Sequence, residues 1–182
     1  MNNALGMIEY KTVSTGMKAC DILAKTTDIE LIEAQTICPG KYIVIFHGEL
    51  SSVKASIEAS LKAFPEGLID SFVLGNPHES LISALSGTTN IEKLNAVGIV
   101  ETFTGASTIV AADASAKAAR INMIEIRVAR GMCGKSYVTF TGDVAAVEAA
   151  VEAGKRTASE NGMLLDYAVI ARPDEKFFRM LL

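Results

Sequence analysis

Apolar and polar positions along the chain fall into two rhythms, and the rhythms alternate in the same order twice. Residues 5–10, 29–37, 41–46 and 68–74 are short, apolar-rich runs with strand periodicity, whereas residues 14–25, 50–63 and 79–85 space their apolar positions every three or four residues and predict helices. The second half repeats this with strands over 97–102, 121–129, 137–140 and 164–170 and helices over 107–119, 144–159 and 174–181. Four strands interleaved with helices predict, in each half, a mostly antiparallel sheet with one face covered: an α/β sandwich of the α+β kind.

The repeat is visible residue by residue. Ala4-Leu5-Gly6-Met7-Ile8-Glu9 returns as Ala96-Val97-Gly98-Ile99-Val100-Glu101, and Asp70, Pro77, Glu79 and Leu85 return as Asp166, Pro173, Glu175 and Leu181. The offset grows from 92 (Gly6 to Gly98) to 94 (Gly48 to Gly142) to 96 (Pro77 to Pro173), so the second copy carries two small insertions. Two copies at that spacing exceed the periods of solenoid repeats, roughly 20–50 residues, and mean tandem domains, here drawn as residues 1–90 and 91–182. The polar, turn-rich stretch over residues 86–95 is the expected linker.

Composition adds a reason for association. Apolar residues make up 49% of the chain and the mean hydropathy is +0.30, yet runs such as Ile43-Val44-Ile45-Phe46 fall far short of the ~20 residues that span a bilayer. Each copy alone is small and buries a modest share of its surface, so contacts between copies and between chains are expected. The helix around Ala111 to Ala119 is so poor in large side chains that it packs by close backbone approach. That suits a tight subunit or domain contact, or equally a plain helix on its own domain core.

Charge excludes a class of partner. The net charge is −4, and neither half holds the basic excess of a nucleic-acid binder. The start of the chain enters a patterned strand without the signature of a signal peptide, which predicts a cytoplasmic location without a membrane. In a reducing compartment, the three cysteines read as thiols with packing or metal roles rather than disulfides.

Several of these residues together carry a family resemblance. The Ala-Leu-Gly-Met-Ile-Glu run, the segment from Ala19 to Lys25 with Asp21 four residues before the lysine, Gly48 ahead of a helix, and Ala171-Arg172-Pro173 resemble the tandem-domain, trimer-forming shell proteins of bacterial microcompartments. Thr36-Ile37-Cys38-Pro39-Gly40-Lys41 is similar to the pore loop of the iron-sulfur-binding branch found in propanediol-utilisation microcompartments. The resemblance implies two ferredoxin-like domains per chain and a homotrimer acting as a pseudo-hexameric tile, packed edge to edge with other shell proteins. It implies a threefold pore lined by Cys38, Pro39 and Gly40 and by Met132, Cys133 and Gly134, and edge contacts through Lys25, Lys117 and Arg172. Asn76 stands where the first copy would have the arginine, so the two kinds of edge are expected to differ. The loop similarity further implies one 4Fe-4S cluster per trimer on the axis, serving electron transfer or gated access, with a lumenal or cytosolic redox protein as a possible partner.

The chemistry of Cys38 is consistent with this. A thiol beside Pro39-Gly40 at a strand end sits on a short constrained loop, and a cyclic trimer brings three copies of any axial residue together. Iron-sulfur clusters usually take four thiolates, so three would leave one iron open. Cysteine is also a common buried apolar residue, and the residues alone do not separate the two roles. Cys133 lies in the corresponding loop as a possible further ligand or a plain pore residue; Cys20 is expected to pack.

His47 and His78 have no companions at metal or nucleophile spacing, Glu9 and Glu101 read as structural, and neither a phosphate loop nor a dinucleotide fingerprint is present. An enzyme is not expected. Two alternatives to the iron-sulfur tile remain: a shell tile with a metal-free metabolite pore, and a trimeric ferredoxin-like metabolite sensor or regulator.

Overall fold

Two units emerge from the packing, residues 1–77 and 78–182, in a computed structural model that describes residues 3–91 and 95–181. The expected linker over 86–95 therefore lies in part, at 92–94, outside the described residues.

In the first unit the chain runs β1 (Asn3–Tyr10), α1 (Val13–Thr26), β2 (Glu30–Ile37), β3 (Lys41–Glu49), α2 (Leu50–Ala63) and β4 (Leu68–Gly75). The sheet order is β2-β3-β1-β4 with every neighbouring pair antiparallel. This is the ferredoxin-like arrangement expected from the sequence. One face of the sheet supplies Ala4, Ile8, Tyr10, Val44 and Phe46 to a core closed by Ala19 and Leu23 of α1 and Val53 and Ile57 of α2. Alternation along a strand sends Leu5, Met7 and Glu9 to the other face, where they are equally inaccessible, at 0% exposure. The glycine of the repeated motif has a packing reason: a Cβ on Gly6 would meet Phe46 Cζ at 2.7 Å and Val53 Cγ1 at 2.8 Å. Phe140 and Val151 crowd Gly98 in the same way.

The second unit contains α3 (Ser80–Leu85), β5 (Ala96–Thr102), α4 (Gly105–Ala118), β6 (Asn122–Arg127), β7 (Ser136–Gly142), α5 (Val144–Glu160), β8 (Leu164–Ile170) and α6 (Glu175–Leu181). Its sheet order, β6-β7-β5-β8, is again antiparallel throughout, and even the β-bulges recur: Leu31/Glu33 and Glu9/Tyr10 in the first copy, Met123/Glu125 and Glu101/Thr102 in the second. Helix α3, which the repeat assigns to the end of the first copy, packs on β6 and α4, so packing draws the division at Pro77/His78 where the sequence reading drew it near residue 90. The His78 amide donates to Asp113 Oδ1 at 2.8 Å and fixes the start of that segment on α4.

Helix α4 lies close against α5, within its own unit. Ser115 Oγ donates to Ala150 O at 2.8 Å across the contact. In the first unit the direction is reversed: Ser60 Oγ and Ser56 Oγ of α2 donate to Ala19 O and Leu23 O of α1, at 2.9 and 3.2 Å. The alanine-rich stretch thus packs on a domain core by close backbone approach.

Candidate functional site

The loop between β2 and β3 is only Cys38, Pro39 and Gly40, closed by the Gly40 amide donating to Ile37 O at 3.0 Å. Ile37 is buried at 4% exposure, Cys38 is half-buried, and Pro39 and Gly40 are exposed. Gly40 has φ +91°, the left-handed region that favours glycine, and a Cβ there would meet nothing within 4 Å. The thiol expected to act is therefore carried on a short surface loop rather than in the core.

Lys41 follows the loop directly. Its ammonium lies 2.7 Å from Glu9 Oε1, with side-chain exposures of 20% for the lysine and 1% for the glutamate. Glu9 Oε2 is buried with no hydrogen-bond partner. The structural part expected of Glu9 is thus an ion pair at the foot of the cysteine loop.

The corresponding connection in the second unit is wider, spanning residues 128–135 between β6 and β7. Register explains why. Gln35 pairs with Ile43 and Arg127 with Tyr137, so the first two-residue insertion of the second copy falls within this loop. Ala129, Gly131, Cys133 and Gly134 all have positive φ, with Cys133 at +53°, exposed. Met132 is half-buried, and Gly134 is buried. The loop is tied at its base by the Ala129 amide donating to Ser136 Oγ at 2.9 Å. Beside it, Tyr137 Oη donates to Glu125 Oε2 at 2.8 Å, Arg127 Nε donates to Glu125 Oε1 at 2.8 Å, and the Arg127 guanidinium lies 5.7 Å from the Tyr137 ring centre. Burial, then the Glu125 hydrogen bond, pushes the Tyr137 phenol up to about 12. Sequence reading passed over this cluster because Glu125 merely repeats Glu33, while Arg127 and Tyr137 replace the first copy's Gln35 and Ile43 without forming a known motif.

Lys25 and Lys117 occupy the last turns of α1 and α4, each paired with the aspartate one turn earlier. Arg172 is exposed just beyond β8, and Asn76, its counterpart, is exposed with φ +53°. Cys20 packs against the first core, and burial followed by the neighbouring Asp21 charge pushes its thiol up. His47 Nε2 pairs with Glu30 Oε2 at 2.7 Å, and His78 Nδ1 lies 2.8 Å from Ser80 Oγ.

Among the described residues no three His, Cys, Asp or Glu side chains gather within the chain as a metal set. A cluster ligand set would have to be assembled from several chains. Cys38 fits such a set in its chemistry and placement: a soft sulfur donor on a partly open loop, clear of the core.

The sequence matches the BMC domain family over residues 4–77 and again over residues 96–173. It is similar to the bacterial microcompartment shell protein PduT of Citrobacter freundii, 36% identical over 181 residues that cover all of this chain and 98% of that protein. The carboxysome assembly protein CcmO of Synechococcus elongatus is 27% identical over 183 residues, covering 93% of this chain and 65% of that protein. Among solved structures, a microcompartment protein from Desulfitobacterium hafniense DCB superposes with a TM-score of 0.93 at 41% identity, covering 98% of this chain and 99% of that one.

Proposed function

The chain belongs to the BMC domain family, one domain in each half, and from that premise we propose that it is a trimeric tile whose pore loops hold an iron-sulfur cluster. It is a structural shell protein of a bacterial microcompartment, as the full-length likeness to a microcompartment shell protein indicates. In the proposed tile three chains close into a ring of six domains, with Cys38, Pro39, Gly40, Met132, Cys133 and Gly134 facing the threefold axis and Lys25, Lys117 and Arg172 facing neighbouring tiles.

The observation that carries the cluster reading is the setting of Cys38, a half-exposed thiol on a three-residue loop whose flanking Ile37 and Lys41 are both anchored in the sheet. Three such thiolates are the ligands of the proposed cluster, and Cys133 lines the pore beside them. A cubane cluster held this way supplies a one-electron site with one open iron. The function served is electron transfer or gated access across the shell, with a small redox protein on one side as partner. No relative reported above is named as a sensor or regulator, so that reading gains no support.

The test is anaerobic purification, light scattering, and iron and sulfide analysis. The expected result is a trimer with about four irons and four sulfides per three chains and a thiolate-to-iron absorption band. A trimer free of iron and sulfide would leave the tile with a metal-free pore, and a monomer at micromolar concentration would remove the ring.

A further inference from the structure

We propose that the Glu9–Lys41 ion pair is the device that positions the Cys38 thiol. The inference rests on the reading that this loop faces the axis. Three thiols that share one cluster must stand at the same height and radius, yet the loop bearing them makes few contacts of its own: Pro39 and Gly40 are exposed, and one backbone hydrogen bond closes the turn. The anchorage comes from its two ends. Ile37 is buried at 4% exposure, and Lys41 reaches Glu9 Oε1 at 2.7 Å. Glu9 stands on β1, which is paired on both sides, to β3 and β4, so the ion pair ties the end of the loop to the middle of the sheet.

Stability gives a poor reason for this pair. A buried ion pair is frequently no better than an apolar pair of the same size. Here the surroundings on that face, Met7, Ile43 and Ile45, are fully buried apolar side chains, and the second carboxylate oxygen has no partner. The repeat supplies the control. In the second copy Glu101 and Lys135 form no ion pair among the described residues, Lys135 is exposed, and the wider loop is tied instead through Ser136 Oγ. The same sheet thus folds with and without the pair, which accompanies the Cys38-Pro39-Gly40 loop. Placing that loop is the role left for it.

The experiment uses the full-length protein with Lys41→Met, Glu9→Gln and the conservative Lys41→Arg. Amide exchange at Gly40 and alkylation of Cys38 by iodoacetamide are followed in the metal-free protein, with Cys133 as the internal reference, and iron content is measured after anaerobic loading. Lys41→Met and Glu9→Gln are expected to speed Gly40 exchange about tenfold, with Cys38 alkylation accelerated and Cys133 unmoved, and Lys41→Arg to restore the parent behaviour. Unchanged Gly40 exchange and Cys38 alkylation in the folded variants would overturn the proposal, as would exchange quickened equally across β1 and β3. If Glu9→Gln does not fold, Lys41→Met, altered at the more open partner, decides alone. Iron-free parent protein with the expected exchange pattern would sink the cluster reading and leave the positioning role standing; iron-loaded parent with unmoved exchange would do the reverse.

Discussion

Lys117 Nζ lies 2.6 Å from Asp113 Oδ2, and the other oxygen of that carboxylate accepts the His78 amide at 2.8 Å. The matching pair in the first copy, Lys25 and Asp21, has similar geometry at 2.7 Å, but its side chains are 73% and 60% exposed, against 42% and 7% for Lys117 and Asp113. One lysine is held by a buried carboxylate that also fixes the start of the α3 segment. The other is a solvated surface pair. The two lysines that the proposed tile turns toward its neighbours thus differ in how firmly each is held.

Asp113→Ala removes a buried acceptor and strands the His78 amide, and is expected to cost about 1–3 kcal/mol in urea unfolding. Asp21→Ala breaks only an exposed i,i+4 pair and is expected to stay within about 0.5 kcal/mol of the parent. Equal losses would show that the buried carboxylate has no structural role beyond its helix.

Gly154 sets the distance between α4 and α5. A Cβ at this position would stand 3.2 Å from Ala111 O and would collide with Ser115 Oγ, the group that donates to Ala150 O. Gly154→Ala should therefore destabilise the chain by about 1–3 kcal/mol, although alanine is the better helix former. Ser60→Ala, at the matching position of the first copy, removes a hydrogen bond to Ala19 O without adding bulk and should cost about 0.5–1.5 kcal/mol. Urea midpoints of the two variants test the ranking; a stabilised Gly154→Ala would mean that the helices part without cost.

Tyr137 provides a pH signature. Its phenol is raised from the ordinary 10.0 to about 12 because burial and Glu125 favour the protonated form in the folded state. A raised folded value means that this contribution to stability is complete below pH about 10, declines above it, and is lost as pH passes the folded value. Phenolate absorbance should show a late step near pH 12, which Tyr137→Phe removes together with part of the fall in stability between pH 10 and 12. Persistence of that step in Tyr137→Phe would assign it to another tyrosine.

The elements were legible because apolar periodicity and the internal repeat constrained each other: residues 50–63 and 164–170 are the observed α2 and β8 to the residue, and the remaining strands and helices shift by a few positions at their ends. The assignment of α3 was not, because a repeat records ancestry of sequence while packing on β6 and α4 is a tertiary choice. The loop that bears Cys38 was readable from Pro39 and Gly40, whose backbone preferences act locally. The Glu9–Lys41 pair was not, since 32 residues separate its partners and only sheet register brings them together. The same holds for Tyr137 and Glu125, which meet across β6 and β7.

The two loop cysteines separate the cluster reading most cleanly from a metal-free pore. Cys38 sits half-buried on the tight β2–β3 loop and is not among the residues of the first unit's core, so Cys38→Ser should leave fold and oligomer intact while bound iron and colour fall to background, the serine hydroxyl being a far poorer ligand than thiolate. Cys133 stands exposed at φ +53°, a conformation that glycine adopts without the Cβ penalty. Cys133→Gly should therefore unfold within about 0.5 kcal/mol of the parent, since relief of the left-handed backbone offsets the added freedom of the unfolded chain, whereas Cys133→Val should lose about 1–2 kcal/mol. Iron should survive both changes at Cys133 if that thiol only lines the pore. Iron retained in Cys38→Ser, measured without air, would sink the cluster assignment; iron lost in Cys133→Gly from a folded trimer would make Cys133 a ligand and move the cluster toward the wider loop.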